Sequence, residues 1–310
     1  MSWMAAKLTG FEPKDLIEMS APERNRLLSN RTAVGEQVTD LFNLTGRVAV
    51  VTGGAGLLGW HHADILAAAG AHAVLLDLPV ADPEKHAADL SSKHRTECLG
   101  LGGDITSPDD LERVRSEIMA RFGRIDILIN NAANNPKVED PNGLAWSRLE
   151  NLPLEIWDAD LRVGLTGAFL CSRFFGAEMV KAGSGVIVNV ASDLALIAPD
   201  QRLYRVDGLA ADQQPVKPVT YSVVKTALIG LTRYLAGYWA EAGIRVNAIS
   251  PGGVFNGQPE VFLSRLHQLI PLGRMAKRDE YQGAILFLCS DASSYMTGTN
   301  LIIDGGRSCL

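Results

Sequence analysis

The chain has 310 residues, of which 47% are hydrophobic, with a formal net charge of −6 and a pI near 5.6. The acidic balance and the lack of a basic cluster argue against nucleic acid or an anionic membrane surface as a partner. No window approaches the roughly 18 uninterrupted apolar residues of a membrane helix. The four cysteines lack metal or redox spacing. These features predict a cytoplasmic globular protein without a metal site.

From residue 47 onward, strand patterns alternate with helix patterns. Strands are predicted near 47–52, 72–77, 97–102, 125–130, 185–191, 244–249 and 299–303. Helices are predicted near 57–69, 83–94, 108–122, 154–181, 219–242, 259–267 and 278–290. This alternation predicts an α/β fold of the Rossmann type, in which a doubly wound parallel sheet of about seven strands lies between two helix layers.

The predicted organisation is an N-terminal extension, residues 1–42, followed by one nucleotide-binding and catalytic domain, residues 43–310. In the extension, Ser20 and Glu23 have the spacing of a helix capping box. We predict two short helices there, with a partly disordered arm as the alternative.

A glycine-rich turn joins the first predicted strand to the first helix. Gly53 permits the tight turn, Gly56 lets the backbone approach a pyrophosphate, and Gly59 allows close packing of helix and strand. The pyrophosphate would lie at the helix N-terminus, where free N–H groups favour an anion. Asp77, at the end of the second strand, is placed to accept hydrogen bonds from the adenosine ribose. A carboxylate there repels a 2′-phosphate, so we expect NAD rather than NADP.

Tyr221 and Lys225 lie four residues apart in an apolar helical pattern, so they share one face of the predicted helix. A phenol with a pKa of about 10 is too weak an acid to ionise readily at neutral pH. A neighbouring ammonium group favours the phenolate. The pair is therefore a candidate general acid and base.

Together these residues resemble the short-chain dehydrogenase/reductase family, from about residue 43 to the C-terminus. Further matches follow in family order: Asp104 in GDIT, the NNAA turn at 130–133, Ser192, SPGG at 250–253 and IIDGG at 302–306. The resemblance implies NAD contacts from Gly53, Gly56, Leu57, Leu58, Gly59, Asp77, Leu78, Asp104, Ile105, Asn131, Ala132, Ala133, Tyr221, Lys225, Pro251, Gly252 and Val254.

The resemblance also implies a reaction, the interconversion of a secondary alcohol and a ketone. Ser192 would stabilise the oxygen of the substrate, and Tyr221 would take or give its proton. Lys225 would lower the pKa of the tyrosine and hold the nicotinamide ribose. Family members commonly associate through the helix regions around Phe169–Val180 and Tyr221, which implies a homodimer or homotetramer.

Three features depart from the family pattern. Gly56 stands one position before the usual middle glycine, where this chain has Leu57, as in the family's extended branch of sugar-nucleotide epimerases and dehydratases. Gly164 replaces an asparagine that usually helps hold a proton-conducting water chain, so either a water takes that space or turnover is slowed. Finally, residues 193–218 form an insertion that we expect to cover the substrate.

Substrate candidates come from the insertion and from a narrower resemblance. Guanidinium groups suit phosphate or carboxylate recognition, so Arg202, Tyr204, Arg205 and, beyond the insertion, Asn256 are expected to contact a sugar, polyol, sugar phosphate or sugar nucleotide. A solvated loop is the alternative. Nearby segments resemble dehydrogenases of flagellin-glycosylation and nonulosonic-acid pathways, and the general pattern resembles gluconate and other polyol dehydrogenases.

Two other functions remain open at this point. The glycine spacing fits a sugar-nucleotide epimerase or dehydratase that retains its NAD, whereas the lack of a long C-terminal substrate domain argues against it. The loss of the asparagine at Gly164 fits a catalytically inactive NAD-binding protein, whereas the presence of Ser192, Tyr221 and Lys225 argues against that.

Overall fold

The structure is a computed structural model that describes residues 38–134 and 144–310. Most of the predicted N-terminal extension, residues 1–37, lies outside the described residues. The described residues form a seven-stranded sheet with strand order β3-β2-β1-β4-β5-β6-β7, in which every neighbouring pair is parallel. The strands are β1 (Val48–Thr52), β2 (His72–Asp77), β3 (Leu99–Gly102), β4 (Ile127–Asn130), β5 (Gly185–Val190), β6 (Ile244–Pro251) and β7 (Asn300–Ile303).

Helices cover both faces of the sheet, which confirms the predicted Rossmann-type fold. The longer ones are α1 (Leu57–Ala68), α2 (Pro83–His94), α3 (Pro108–Phe122), α4 (Leu154–Leu161), α5 (Gly167–Ala182), α6 (Val219–Tyr238), α7 (Glu260–His267) and α8 (Gln282–Cys289). Alternate residues of β1 enter two separate cores. Ala49 packs in the core that includes residues of α1, α2 and α8, and Val50 in the core that includes residues of α3, α5 and α6.

The predicted helix over 154–181 is interrupted by one turn of π-helix. This turn, Arg162–Thr166, contains Gly164 and joins α4 to α5. By length and composition alone, the whole stretch Leu154–Ala182 passes as a candidate membrane span, although 56% of its apolar window is buried within the protein. Such burial is typical of a core helix, and α5 indeed packs on β4 and β5.

The strand order reverses between β1 and β4. In open α/β sheets, ligands bind in the crevice outside the carboxyl ends of the strands at this switch point. The loops that follow β1, β2, β4, β5 and β6 all meet there. The fold therefore brings the predicted functional residues to one edge of the sheet.

Candidate active site

A cavity of about 720 Å³ lies along the carboxyl edge of the sheet. It is lined by Ser192, Tyr221 and Lys225 and by every predicted NAD contact except Gly59. Gly59 instead lies beneath the glycine turn, where a Cβ would be 2.0 Å from the carbonyl oxygen of Gly53. Because that oxygen belongs to the backbone, no larger residue fits at position 59.

The glycine turn leaves open backbone at the N-terminus of α1. Gly53 has φ +62°, a left-handed conformation that favours glycine. The side-chain amide of Asn131 donates to the carbonyl oxygens of Thr52, at 3.0 Å, and Gly53, at 3.2 Å, and so fixes the turn. The N-cap, Gly56, provides no side-chain cap, and the first turn of α1 contains no acidic residue. This cradle of free N–H groups fits a pyrophosphate.

Asp77 lies beside this cradle, at the end of β2. Its Oδ2 accepts a hydrogen bond from the Ala55 amide at 3.0 Å, and its Oδ1 accepts one from the Leu78 amide at 2.8 Å. Each carboxylate oxygen can accept more than one hydrogen bond, so the side chain is held in place while retaining capacity for a ribose hydroxyl. Asp104, on the neighbouring loop, is fixed by the Thr106 amide, which donates to its Oδ1 at 2.8 Å. These residues fit the adenosine half of a dinucleotide.

Lys225 lies deep in the other half of the cavity, with 5% of its surface exposed. Its Nζ donates to the carbonyl oxygen of Val190 at 2.7 Å and lies 5.8 Å from the centre of the Tyr221 ring. Burial, together with the charge of Lys217, lowers the pKa of Lys225 to about 8. The Nζ of Lys217 is closer to the Tyr221 ring, at 4.0 Å from its centre.

The acid–base balance at Tyr221 differs from the sequence expectation. Burial raises the pKa of the Tyr221 phenol, the hydrogen bond with Ser192 acts to lower it, and the charge of Asp193 raises it further. The sequence predicts instead that the Lys225 ammonium lowers this pKa. The expectation failed because burial disfavours a charge on either partner, an effect that residue spacing does not reveal.

Ser192 belongs to a buried network that the sequence analysis did not anticipate. Its Oγ donates to Oδ1 of Asp193 at 2.8 Å and accepts a hydrogen bond from the Leu194 amide at 3.2 Å. Oδ2 of Asp193 accepts a hydrogen bond from Nη1 of Arg307 at 2.8 Å. The available signals were slight: Asp193 is adjacent to Ser192, and Arg307 closely follows the IIDGG motif.

Packing around Gly164 leaves little of the space that the family's asparagine would fill. A Cβ on Gly164 would be 2.5 Å from Cγ1 of Val224 on α6. Beside it lies a small cavity of about 10 Å³ that also borders Lys225 and Asp160. This is near the smallest volume that holds one water molecule. Oδ2 of Asp160 accepts a hydrogen bond from the Thr220 hydroxyl at 2.6 Å.

The predicted substrate residues divide into two groups. Tyr204 and Asn256 line the cavity, whereas Arg202 and Arg205 do not. The side chain of Arg202 is 72% exposed and forms an ion pair with Asp200. Arg205 is exposed, and its carbonyl oxygen accepts a hydrogen bond from Arg265 at 2.7 Å. The prediction that these two arginines contact the substrate is therefore wrong. The sequence shows that a loop carries charged residues, but it does not show which way their side chains point.

The insertion reaches the cavity through apolar residues instead. Leu203 belongs to a small core with residues of α7 and Met275. The ring of Tyr204 lies 5.6 Å, centre to centre, from that of Phe262. This cluster forms one wall of the cavity. Within residues 38–134 and 144–310, no group of three His, Cys, Asp or Glu side chains is arranged to hold a metal ion.

Comparisons with known proteins agree with this geometry. The family model described as enoyl-(acyl carrier protein) reductase matches residues 54–308. The chain is 37% identical to the NAD-dependent glycerol dehydrogenase of Listeria innocua over 86% of this chain and 95% of that protein. It is 36% identical to the D-threitol dehydrogenase of Mycolicibacterium smegmatis, over 86% of this chain and 94% of that protein.

Among solved structures, a gluconate 5-dehydrogenase from Burkholderia cenocepacia, in complex with NADP and tartrate, superposes with a TM-score of 0.76. It is 28% identical, and the match covers 88% of this chain and 99% of that one. The chain therefore belongs to the short-chain dehydrogenase/reductase family and is an oxidoreductase that acts on CH–OH groups.

Proposed function

We propose that the protein uses NAD to interconvert a secondary alcohol and a ketone on a polyol or sugar. The observation that carries the proposal is the convergence of Ser192, Tyr221 and Lys225 in one cavity with the dinucleotide cradle. The names of the relatives support the substrate class, because glycerol, threitol and gluconate are all polyhydroxylated.

In the proposed mechanism, bound NAD supplies a hydride acceptor next to the substrate carbon. The hydroxyl of Ser192 turns from Asp193 toward the substrate oxygen and stabilises the charge that develops there. Ionised Tyr221 accepts the proton of the alcohol, and in the reverse direction the phenol returns it. Lys225, anchored on the Val190 carbonyl, holds positive charge beside the tyrosine.

The preference for NAD rests on Asp77. Two backbone amides fix its carboxylate at the end of β2, where it would repel the 2′-phosphate of NADP. Glycerol dehydrogenase of Listeria innocua is named for NAD, whereas the Burkholderia cenocepacia structure contains NADP. Comparing kcat/KM for the two cofactors tests this choice, and a preference for NADP would contradict it.

The remaining organisation is also proposed. Residues 43–310 would form one NAD-binding and catalytic domain with the insertion at 193–218, in a cytoplasmic homodimer or homotetramer. Tyr234 and Tyr238 support a subunit contact: both are exposed on α6, and their rings stack with centres 5.7 Å apart. Sedimentation of the purified protein would measure the oligomeric state, and a monomer would contradict the contact.

The decisive experiment is the Tyr221→Phe variant, assayed for NADH formation with glycerol, threitol, mannitol and gluconate. We expect the variant to fold and bind NAD but to lose at least about a hundredfold in kcat, the usual scale of general acid–base catalysis. Tyr295→Phe is the matched control, because Tyr295 is fully exposed. Full turnover by the Tyr221→Phe variant on a true substrate would rule out the mechanism.

A further inference from the structure

The ion pair between Asp193 and Arg307 lies inside the substrate half of the cavity. The side chains of Asp193 and Arg307 are only 4% and 9% exposed, and both residues line the cavity beside Ser192 and Tyr221. They are 114 positions apart in the chain. The pair is therefore assembled only in the folded protein, at the point where the substrate must bind.

The C-terminal turn holds Arg307 in place. Asp304 accepts hydrogen bonds from the amides of Gly306, at 2.9 Å, and Ser308, at 2.7 Å. Gly305 and Gly306 both have positive φ, +68° and +87°, so they let the chain reverse tightly after β7. The backbone on either side of Arg307 is thus fixed before any ligand binds.

Fold stability alone is a poor explanation for the pair. Taking two charges out of water carries a large desolvation cost, and a buried ion pair is often no more stabilising than apolar residues of similar size. A guanidinium has five N–H donors. Within the described part of the chain, the side chain of Arg307 donates one hydrogen bond, to Oδ2 of Asp193. It therefore retains donors that a ligand in the cavity can use.

We propose that Asp193 and Arg307 recognise a hydroxyl on the carbon next to the reacting carbon, so that the enzyme selects vicinal diols. Oδ1 of Asp193 lies 2.8 Å from Oγ of Ser192, the group that holds the reacting oxygen. The adjacent oxygen of a diol is about one hydrogen-bond length from the first. It therefore reaches the pair, where the carboxylate accepts a hydrogen bond from this hydroxyl and the guanidinium donates one to its oxygen.

Asp193 and Arg307 together carry no net charge. Asp193 neutralises Arg307 at 2.8 Å, so the arginine is not an open site for a carboxylate or a phosphate. This inference rests on the proposed function and narrows it to substrates that carry two adjacent hydroxyl groups.

The test compares vicinal cyclohexanediol with cyclohexanol, which differ by one hydroxyl. We expect the wild-type protein to favour the diol by about 10- to 100-fold in kcat/KM, the scale of one hydrogen bond to a charged group. In Arg307→Gln we expect this ratio to fall toward one. Both rates can also fall together, because Arg307 counters the charge of Asp193 near Tyr221, and the ratio removes that common effect. A merely structural role would lower both rates equally and leave the ratio unchanged.

Arg47→Gln is the matched control. Arg47 also pairs with an aspartate, Asp291, at 2.8 Å, but it precedes β1 and lies away from the cavity. The Arg47→Gln variant should show the same ratio of kcat/KM for the diol to kcat/KM for cyclohexanol as the wild type. If Arg307→Gln does not fold, Arg307→Lys, which keeps the charge beside Asp193 but has fewer donors, is used for the same comparison.

The outcomes separate this inference from the proposed function. If the wild type oxidises threitol but shows no preference for the diol, or if the ratio survives in the Arg307 variants, the inference fails and the proposed function stands. If no alcohol is oxidised, both fail.

Discussion

Replacing Lys225 by methionine should abolish turnover and also change how stability depends on pH. The ammonium of Lys225 is buried, with a pKa of about 8 in place of its ordinary 10.5. Between these two values the unfolded chain binds more protons than the folded one, so the stability of the wild type rises with pH in this window.

The structure gives the size of this effect. A pKa that falls from 10.5 to about 8 corresponds to about 3 kcal/mol of unfolding free energy, the cost of keeping Lys225 charged inside the protein. This cost is fully present below about pH 8 and disappears as the pH rises toward 10.5. Methionine has a similar shape and never carries the charge, so the variant lacks this pH dependence.

Urea unfolding at several values between about pH 7 and about pH 10 measures the difference between the two proteins. As the pH rises across this range, we expect the free energy of unfolding of the wild type to increase by about 2 to 3 kcal/mol relative to that of Lys225→Met. Lys277→Met is the control, because Lys277 is exposed and its removal should leave the slope unchanged. A constant difference between wild type and Lys225→Met would show that the ammonium is not buried as the structure has it.

Three further predictions concern packing, protons and the cofactor. The free energy of unfolding of Gly164→Ala, measured in urea, should be about 1 to 3 kcal/mol lower than that of the wild type, because the added Cβ would overlap Val224. The second substitution Val224→Ala should restore most of this loss, and no recovery would refute the overlap. Burial lowers the pKa of His62 to about 3 from 6.5, so wild-type stability falls as the pH drops below 6.5. As the pH falls from about 7 to about 5, the free energy of unfolding of His62→Leu should therefore rise by about 2 kcal/mol relative to that of the wild type, as measured by denaturation. If the difference between the two proteins does not change with pH, this prediction is wrong. Asp77→Ser should raise KM for NAD and reduce the ratio of kcat/KM with NAD to kcat/KM with NADP. If that ratio does not change, Asp77 does not have the role in cofactor choice assigned to it.

Much of the fold could be predicted from the sequence because its signals are local. The strand segments are almost entirely apolar because both faces of a parallel sheet are buried. Helix starts such as Ser107, whose side chain accepts from the Asp110 amide, carry their own capping residues. The last predicted helix begins at Gln282 rather than near 278, and the predicted helix 219–242 ends at Tyr238. Such boundaries depend on tertiary packing as well as on propensity.

The cofactor half of the candidate site was also accessible from the sequence. Gly53 follows β1 and Asp77 ends β2, and parallel strands bring such ends to one edge of the sheet. The substrate half was not accessible in this way. Arg202 and Arg307 are chemically equivalent in the sequence, but one points to solvent and the other into the cavity. Only the path of the chain distinguishes them.

The same burial acts in opposite directions on Tyr221 and Lys225, since it raises the pKa of the phenol and lowers that of the ammonium. Their spacing on α6 therefore does not provide a ready phenolate. The hydrogen bond with Ser192 is the influence that favours ionisation of Tyr221, whereas Asp193 opposes it. Arg307 counters the charge of Asp193 at 2.8 Å. The C-terminal turn thus bears on both parts of the proposed chemistry, the proton transfer at Tyr221 and the choice of substrate.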